Sequence, residues 1–151
     1  MKTALITGAS GEIGAAVARH FAGAGYGVAV HGAKHFEAAQ ALAEALSAEG
    51  RTAFAVQGDL SNPEACARVW AGSESALGPI DVLVNGAGIS LVEFFDAVSP
   101  AAWNALVGAN LSSAVWLSQH AAKSMIRRKA GAIVNVSSIW GCLLYTSDAA
   151  D

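Results

Sequence analysis

Ala4-Leu5-Ile6-Thr7-Gly8-Ala9-Ser10-Gly11-Glu12-Ile13-Gly14 decides how the chain is read. An apolar run stops at a glycine-rich turn, and an alanine-rich helical pattern begins at once. Strand, glycine turn and helix together bring a helix N-terminus to an anion. The unpaired N–H groups of the first helical turn point outward and carry partial positive charge. Glycine lets the backbone turn with positive φ and lets a ligand approach without meeting a Cβ. A plain strand-to-helix turn would use the same residues, so the rest of the chain must discriminate.

Composition sets the limits. The 151 residues suggest one domain with a real core. A hydrophobic fraction of 54% against 14% charged argues for a well-buried α/β domain, not a disordered chain. Net charge is −3, and the one basic run, Arg127-Arg128-Lys129, suits a helix C-terminus better than a nucleic-acid surface. No apolar stretch reaches membrane-spanning length and no signal peptide precedes the first strand, so the expected location is the cytoplasm. Cys66 and Cys142 have neither metal-ligand spacing nor a disulfide framework.

Outward from the opening stretch, strands alternate with helices. Thr3 to Ile6 is the first strand, unbroken in its apolar character as a strand covered on both faces should be. Ile13 to Ala24 is a helix whose inward face is read from Ile13, Val17 and Phe21. Tyr26 to His31 is the second strand. Phe36 to Ala48 is a helix with Ala39, Leu42 and Leu46 inward, and Ala53 to Gln57 is the third strand. Ser61 is expected to cap the next helix, with Pro63 in its first turn. Ile80 to Val84 is the fourth strand, Ser99-Pro100 starts one long helix to about Arg128, and Ile133 to Val136 is the fifth strand. This alternation predicts a parallel, doubly wound sheet.

Ligands of such sheets bind beyond the carboxyl ends of the strands. The five ends read Gly8 to Gly11, His31-Gly32-Ala33-Lys34, Gly58-Asp59-Leu60, Asn85-Gly86-Ala87-Gly88 and Ser137-Ser138. All are small, polar or glycine-rich, which stability alone does not require.

In residues 1 to 141, with Thr7-Gly8-Ala9-Ser10-Gly11-Glu12-Ile13-Gly14, Asp59, Asn85-Gly86-Ala87-Gly88, Asn110 and Ile133-Val134-Asn135-Val136-Ser137-Ser138 in this order and spacing, the chain resembles the N-terminal part of the short-chain dehydrogenase/reductase family. It is most similar in pattern to the bacterial 3-oxoacyl-[acyl-carrier-protein] reductases. Ser138 to Gly141 and Met125 to Lys129 also resemble a branch thought to reduce a ketone on modified elongation factor P. The resemblance implies a Rossmann-type fold, truncated after about five strands, in a homo-oligomeric oxidoreductase acting on a small-molecule or carrier-bound carbonyl. It implies that Gly8, Ser10, Gly11, Ile13 and Gly14 hold the cofactor pyrophosphate and ribose. Asp59 and the Leu60 backbone would meet adenine. Asn85, Ala87 and Gly88 would line the ribose, Ser138 would hydrogen-bond the substrate carbonyl, and Asn110 would hold a water in a proton relay. On local sequence alone, Asn110 reads equally as a satisfied buried amide, Ser138 as a hydroxyl serving its own turn and Asp59 as a helix N-terminal carboxylate. A dinucleotide-binding module without chemistry also remains open.

The chain departs from the family pattern at Glu12, where glycine is usual, and at Gly86, where asparagine is usual. The Glu12 side chain is expected to point to solvent. No carboxylate stands at the end of the second strand to grip a ribose 2′-OH, while His31, Lys34 and His35 do, so NADP(H) is expected over NAD(H). The family's tyrosine, about thirteen residues past the serine, would fall at Asp151. Tyr145 comes too early, and Ala149, not lysine, lies four beyond it. Residues 142–151 match an in-frame translation of a transposase adaptor used in sequencing libraries, so the natural sequence is expected to stop at Gly141 with 142–151 a non-native tail.

Overall fold

The computed structural model describes residues 1–138; the tail 142–151 and Tyr145 lie outside them. Five strands, β1 (Thr3–Ile6), β2 (Gly27–Gly32), β3 (Ala53–Gln57), β4 (Val82–Asn85) and β5 (Ala132–Asn135), form one sheet. Every pairing is parallel, in the order β3-β2-β1-β4-β5. The order reverses at β1, between β2 and β4, so the expected parallel sheet and its crevice are both present.

Successive residues of β1 feed opposite faces. Ile6 joins Val28, Val30, Ala18, Ala22, Leu42 and Leu46 beneath α1 (Glu12–Gly23) and α2 (Phe36–Ala48). Leu5 joins Leu83, Val69, Trp70, Leu117 and Ala121 beneath α3 (Pro63–Leu77) and α5 (Ser113–Arg128). Two cores on one sheet explain why β1 and β2 are buried along their whole length. β5, at the edge, is exposed throughout.

Three expectations need correction. The buried stripe of α1 is Gly14, Ala18 and Ala22, while Ile13 is 71% exposed and Val17 and Phe21 are half-buried. α1 lies too close to the turn after β1 for large side chains, so small residues face inward. The cap of α3 is Asn62, whose side chain accepts the Ala65 N–H at 3.1 Å. Ser61 is not free for it, because its hydroxyl and N–H both donate to Asp59. The long final helix is broken in register: α4 (Pro100–Val107) passes through a π-helical segment, Gly108–Ser112, into α5. There the Ser113 N–H reaches the Gly108 carbonyl, and the Ser113 hydroxyl takes the Ala109 carbonyl at 2.7 Å. The second, fourth and fifth strands sit within two residues of their expected ends, and α2 and β3 match in full.

At the far end of the sheet, Arg128 donates to Asp81 at 2.8 Å and to the Ile80 carbonyl at 2.6 Å, while Asp81 accepts the Thr3 N–H at 3.0 Å. This ties the end of α5 to the starts of β1 and β4. Replacing the cap, Asn62→Ala, is expected to lower unfolding stability in urea by about 1 kcal/mol, whereas Ser61→Ala leaves the α3 cap intact.

Candidate functional site

The carboxyl ends of the strands meet at one edge. Gly8 turns with φ +69°, and a Cβ there would stand 2.7 Å from the Gly86 carbonyl oxygen and 2.8 Å from the Ala87 Cα. A Cβ on Gly14 would stand 2.4 Å from the Gly8 carbonyl oxygen. Glycine at both positions therefore lets α1 begin directly against the turn, with the 86–88 loop alongside. Gly11 is the N-cap and no side chain occupies it. The N–H groups of the first turn are left for a ligand. Ser10 is half-buried beside them, and Glu12 is exposed, as expected of a side chain turned to solvent.

Thr7, which sequence reasoning passed over, is the hub. Its Oγ1 accepts the Gly86 N–H at 2.9 Å and the Ala87 N–H at 3.0 Å, and its hydroxyl donates to the Val84 carbonyl at 3.3 Å. Its position at the last residue before a glycine turn was the available signal. Asn85 is 7% exposed, and its Nδ2 donates to Asn135 Oδ1 at 2.8 Å and to Ser118 Oγ at 3.2 Å, joining β4, β5 and α5. Its own Oδ1 is buried and, among the described residues, has no partner.

Asn110 lies in the π segment, exposed, not buried as the alternative reading had it. Its Oδ1 accepts the Ile89 N–H at 2.7 Å and its Nδ2 donates to the Ile89 carbonyl at 2.8 Å. It thus clamps the loop that follows β4, and Gly88 lies against its amide. An open cleft of about 900 Å³ lies between that loop, α5 and the tip of β5, lined by Asn85, Ala87, Gly88, Asn110 and Ser138 among others.

Toward β3, Asp59 is exposed and accepts the Ser61 hydroxyl at 2.7 Å and its N–H at 3.1 Å. Those two bonds, helped by Lys34 and His31, hold its carboxyl below the usual range despite some burial. The Leu60 side chain is in the core, and its carbonyl accepts the Cys66 thiol. Burial, with the Asp59 charge, pushes that thiol up to about 11, so Cys66 is inert at neutral pH. His31 does not stand free at the strand end as expected. It is 2% exposed, its Nδ1 accepts the Gly8 N–H at 3.2 Å and its Nε2 lies 2.9 Å from the Gly58 carbonyl oxygen. Lys34 and His35 remain exposed.

The edge therefore brings together Gly8, Ser10, Gly11, Ile13, Gly14, Asp59, Asn85, Ala87 and Gly88, with Asn110 and Ser138 across the cleft. Its glycine cradle and uncapped helix start suit an anionic group. Among the described residues no cluster of His, Cys, Asp or Glu could hold a metal, and no helix is long and apolar enough to cross a membrane.

A family model described as short chain dehydrogenase matches residues 2–149. Acetoacetyl-CoA reductase of Shinella zoogloeoides is 40% identical over 140-odd residues, covering 93% of this chain and 56% of that protein. A 3-oxoacyl-[acyl-carrier-protein] reductase of Staphylococcus aureus is 35% identical, covering 94% of this chain and 58% of that protein. The chain thus spans little more than half the length of either relative. A metagenomic short-chain oxidoreductase, solved in complex with NADP, superposes with a TM-score of 0.86 at 36% identity, covering 91% of this chain and 62% of that one.

Two outcomes follow from the geometry. Thr7→Val keeps the shape and leaves the N–H groups of Gly86 and Ala87 without their acceptor, so urea unfolding is expected to show a loss of about 2 to 4 kcal/mol. Burial holds the His31 ring below the ordinary histidine value of about 6.5, against the opposing Gly58 bond and Asp59 charge. The unfolded chain therefore takes up the proton first as pH falls. The stability that His31 contributes is whole above about pH 6.5 and is lost as pH drops through the folded value, with a slope of at most about 1.4 kcal/mol per pH unit. Denaturation midpoints measured across that range in wild type and His31→Asn check it.

Proposed function

The chain belongs to the short-chain dehydrogenase family, and from that footing we propose that it is the nucleotide-binding part of an NADP(H)-dependent oxidoreductase acting on the carbonyl of a 3-oxoacyl thioester. The observation that carries this reading is that the Gly8–Gly14 cradle abuts the 86–88 loop, which in turn lines one cleft with Asn110 and Ser138. The substrate class is supported by the two relatives above, both named for reducing 3-oxoacyl thioesters. The cofactor is supported by the NADP-bound neighbour and by the absence of a carboxylate from Val30 to His35.

In this reading Gly8, Ser10, Gly11, Ile13 and Gly14 hold the pyrophosphate and its ribose. Asp59 and the Leu60 backbone meet adenine, and Lys34 and His35 meet the 2′-phosphate. Asn85, Ala87 and Gly88 line the second ribose. The bound dinucleotide supplies hydride chemistry. Ser138 donates its hydroxyl proton in a hydrogen bond to the substrate carbonyl, polarising it for attack. Asn110, after its two bonds to Ile89, keeps one amide proton and one oxygen lone pair, enough to hold a relay water. A binding module without chemistry would use Asn110 only as the clamp on Ile89 and would have no carbonyl for Ser138 to meet. The exposed Phe94, Phe95 and Trp103 we read as surface covered by a second copy in the whole protein.

The chain has two tyrosines, Tyr26 and Tyr145, and neither has lysine four residues on. We therefore propose that these 151 residues bind nucleotide without turnover. NADPH titration, followed by nicotinamide fluorescence, is expected to saturate, to be tighter than NADH, and to be abolished by Gly14→Ala. Tighter NADH, or binding indifferent to Gly14→Ala, overturns the cofactor reading. Oxidation of NADPH by the pure chain with acetoacetyl-CoA overturns the inactivity.

A further inference from the structure

His31 is held by both ring nitrogens. A carbonyl oxygen only accepts, so Nε2, 2.9 Å from the Gly58 oxygen, must carry the hydrogen. A backbone N–H only donates, so Nδ1, 3.2 Å from the Gly8 nitrogen, must be bare. The two contacts admit one state of the ring, the neutral Nε2–H tautomer. The residue grips the same turn a second time, because its own carbonyl accepts the Ala9 N–H at 2.8 Å. What it joins are two ends of one ligand. Gly8 and Gly14 make the phosphate cradle, and Gly58 immediately precedes Asp59 on the adenine side.

We propose that His31 is a positioning residue of the dinucleotide site, a two-ended strap that fixes the turn after β1 against the tip of β3. The inference rests on the dinucleotide reading and deepens it. A protonated ring has a hydrogen on Nδ1, which faces the Gly8 N–H donor to donor. The strap then lets go at its phosphate end while the Gly58 end survives. Nucleotide affinity consequently depends on the ring's charge, although the ring touches no nucleotide.

The groups around it do not obscure that dependence. From the tip of β3, Asp59 favours the charged ring. From α3, Cys66 is buried and protonated at neutral pH and below. Glu12 at the start of α1, and Lys34 and His35 beyond β2, are exposed.

The test measures NADP⁺ affinity by calorimetry at about pH 8 and about pH 5 for wild type, His31→Asn and His31→Phe. Asn places an oxygen where Nδ1 stood, keeps the Gly8 bond and never titrates; Phe keeps the volume and neither bond. The 2′-phosphate of the ligand itself titrates near pH 6, so the readout is the acid loss of wild type relative to the Asn variant. Wild type is expected to lose about tenfold more affinity than Asn on acidification. At about pH 8, Asn should bind within about threefold of wild type and Phe about tenfold more weakly. Equal acid loss in wild type and Asn, at a pH where ring ¹⁵N shifts show the ring charged, overturns the strap, as does wild-type affinity in Phe. Should Phe fail to fold, ring ¹⁵N shifts of wild type decide, since a neutral ring protonated on Nδ1 at about pH 8 also overturns it. No binding of NADP⁺ by wild type at either pH overturns the dinucleotide reading and the strap's role with it. Binding that ignores the ring overturns the strap alone.

Discussion

One hydroxyl holds the parting of two strands. β1 and β4 run side by side, but the chain leaves them for different faces of the sheet, toward α1 from β1 and toward α4 and α5 from β4. At such a divergence backbone N–H groups run out of ladder partners, and leaving them bare in a buried place is costly. Thr7 Oγ1 takes both the Gly86 and the Ala87 N–H. The crevice characteristic of doubly wound sheets can stay open because its floor is satisfied from inside.

The rest of the site follows the same economy. Side chains that sequence reasoning would give to a ligand are largely employed in fixing main chain. Asn110 secures Ile89, His31 secures Gly8, and Asp59 secures the Ser61 N–H. The main chain beside the glycine turn is thus held in place from behind, while the cleft itself is lined by the side chains of α5 and the tip of β5 as well as by the 86–88 loop. Asn85 departs from this pattern, with its amide protons spent on Asn135 and Ser118 and its oxygen without a partner among the described residues.

Much of this was legible in the sequence because periodicity and turn chemistry agreed. α2 and β3 were read in full, and the strand tips were named before their convergence was known. Failures came where two residues of similar type compete and only three-dimensional distance decides. Ser61 and Asn62 are both good caps, but Asp59 claims the first. Ile13, Val17 and Phe21 form a proper apolar stripe, yet Gly14 must abut the Gly8 carbonyl, which turns the alanines inward. His31 looks like a loop cation until β3 is laid beside β2 and supplies the Gly58 oxygen. The π segment leaves no trace in composition, since one residue of slippage inside a long apolar helix alters no residue type.

That slippage has an effect on how the chain can change in length. A π turn carries one residue beyond what α winding needs. Losing any one of positions 108–112 would let the two helical pieces fuse smoothly, so the helix itself would tolerate a deletion. The flanking pieces would keep nearly their present phase, because the wider winding had already absorbed the extra residue, but the backbone within the bulge would tighten. The amide now clamped on Ile89 would face elsewhere, and the backbone after β4 would lose its fastener. The helix thus contains a spare residue that its own winding could shed and its neighbours could not.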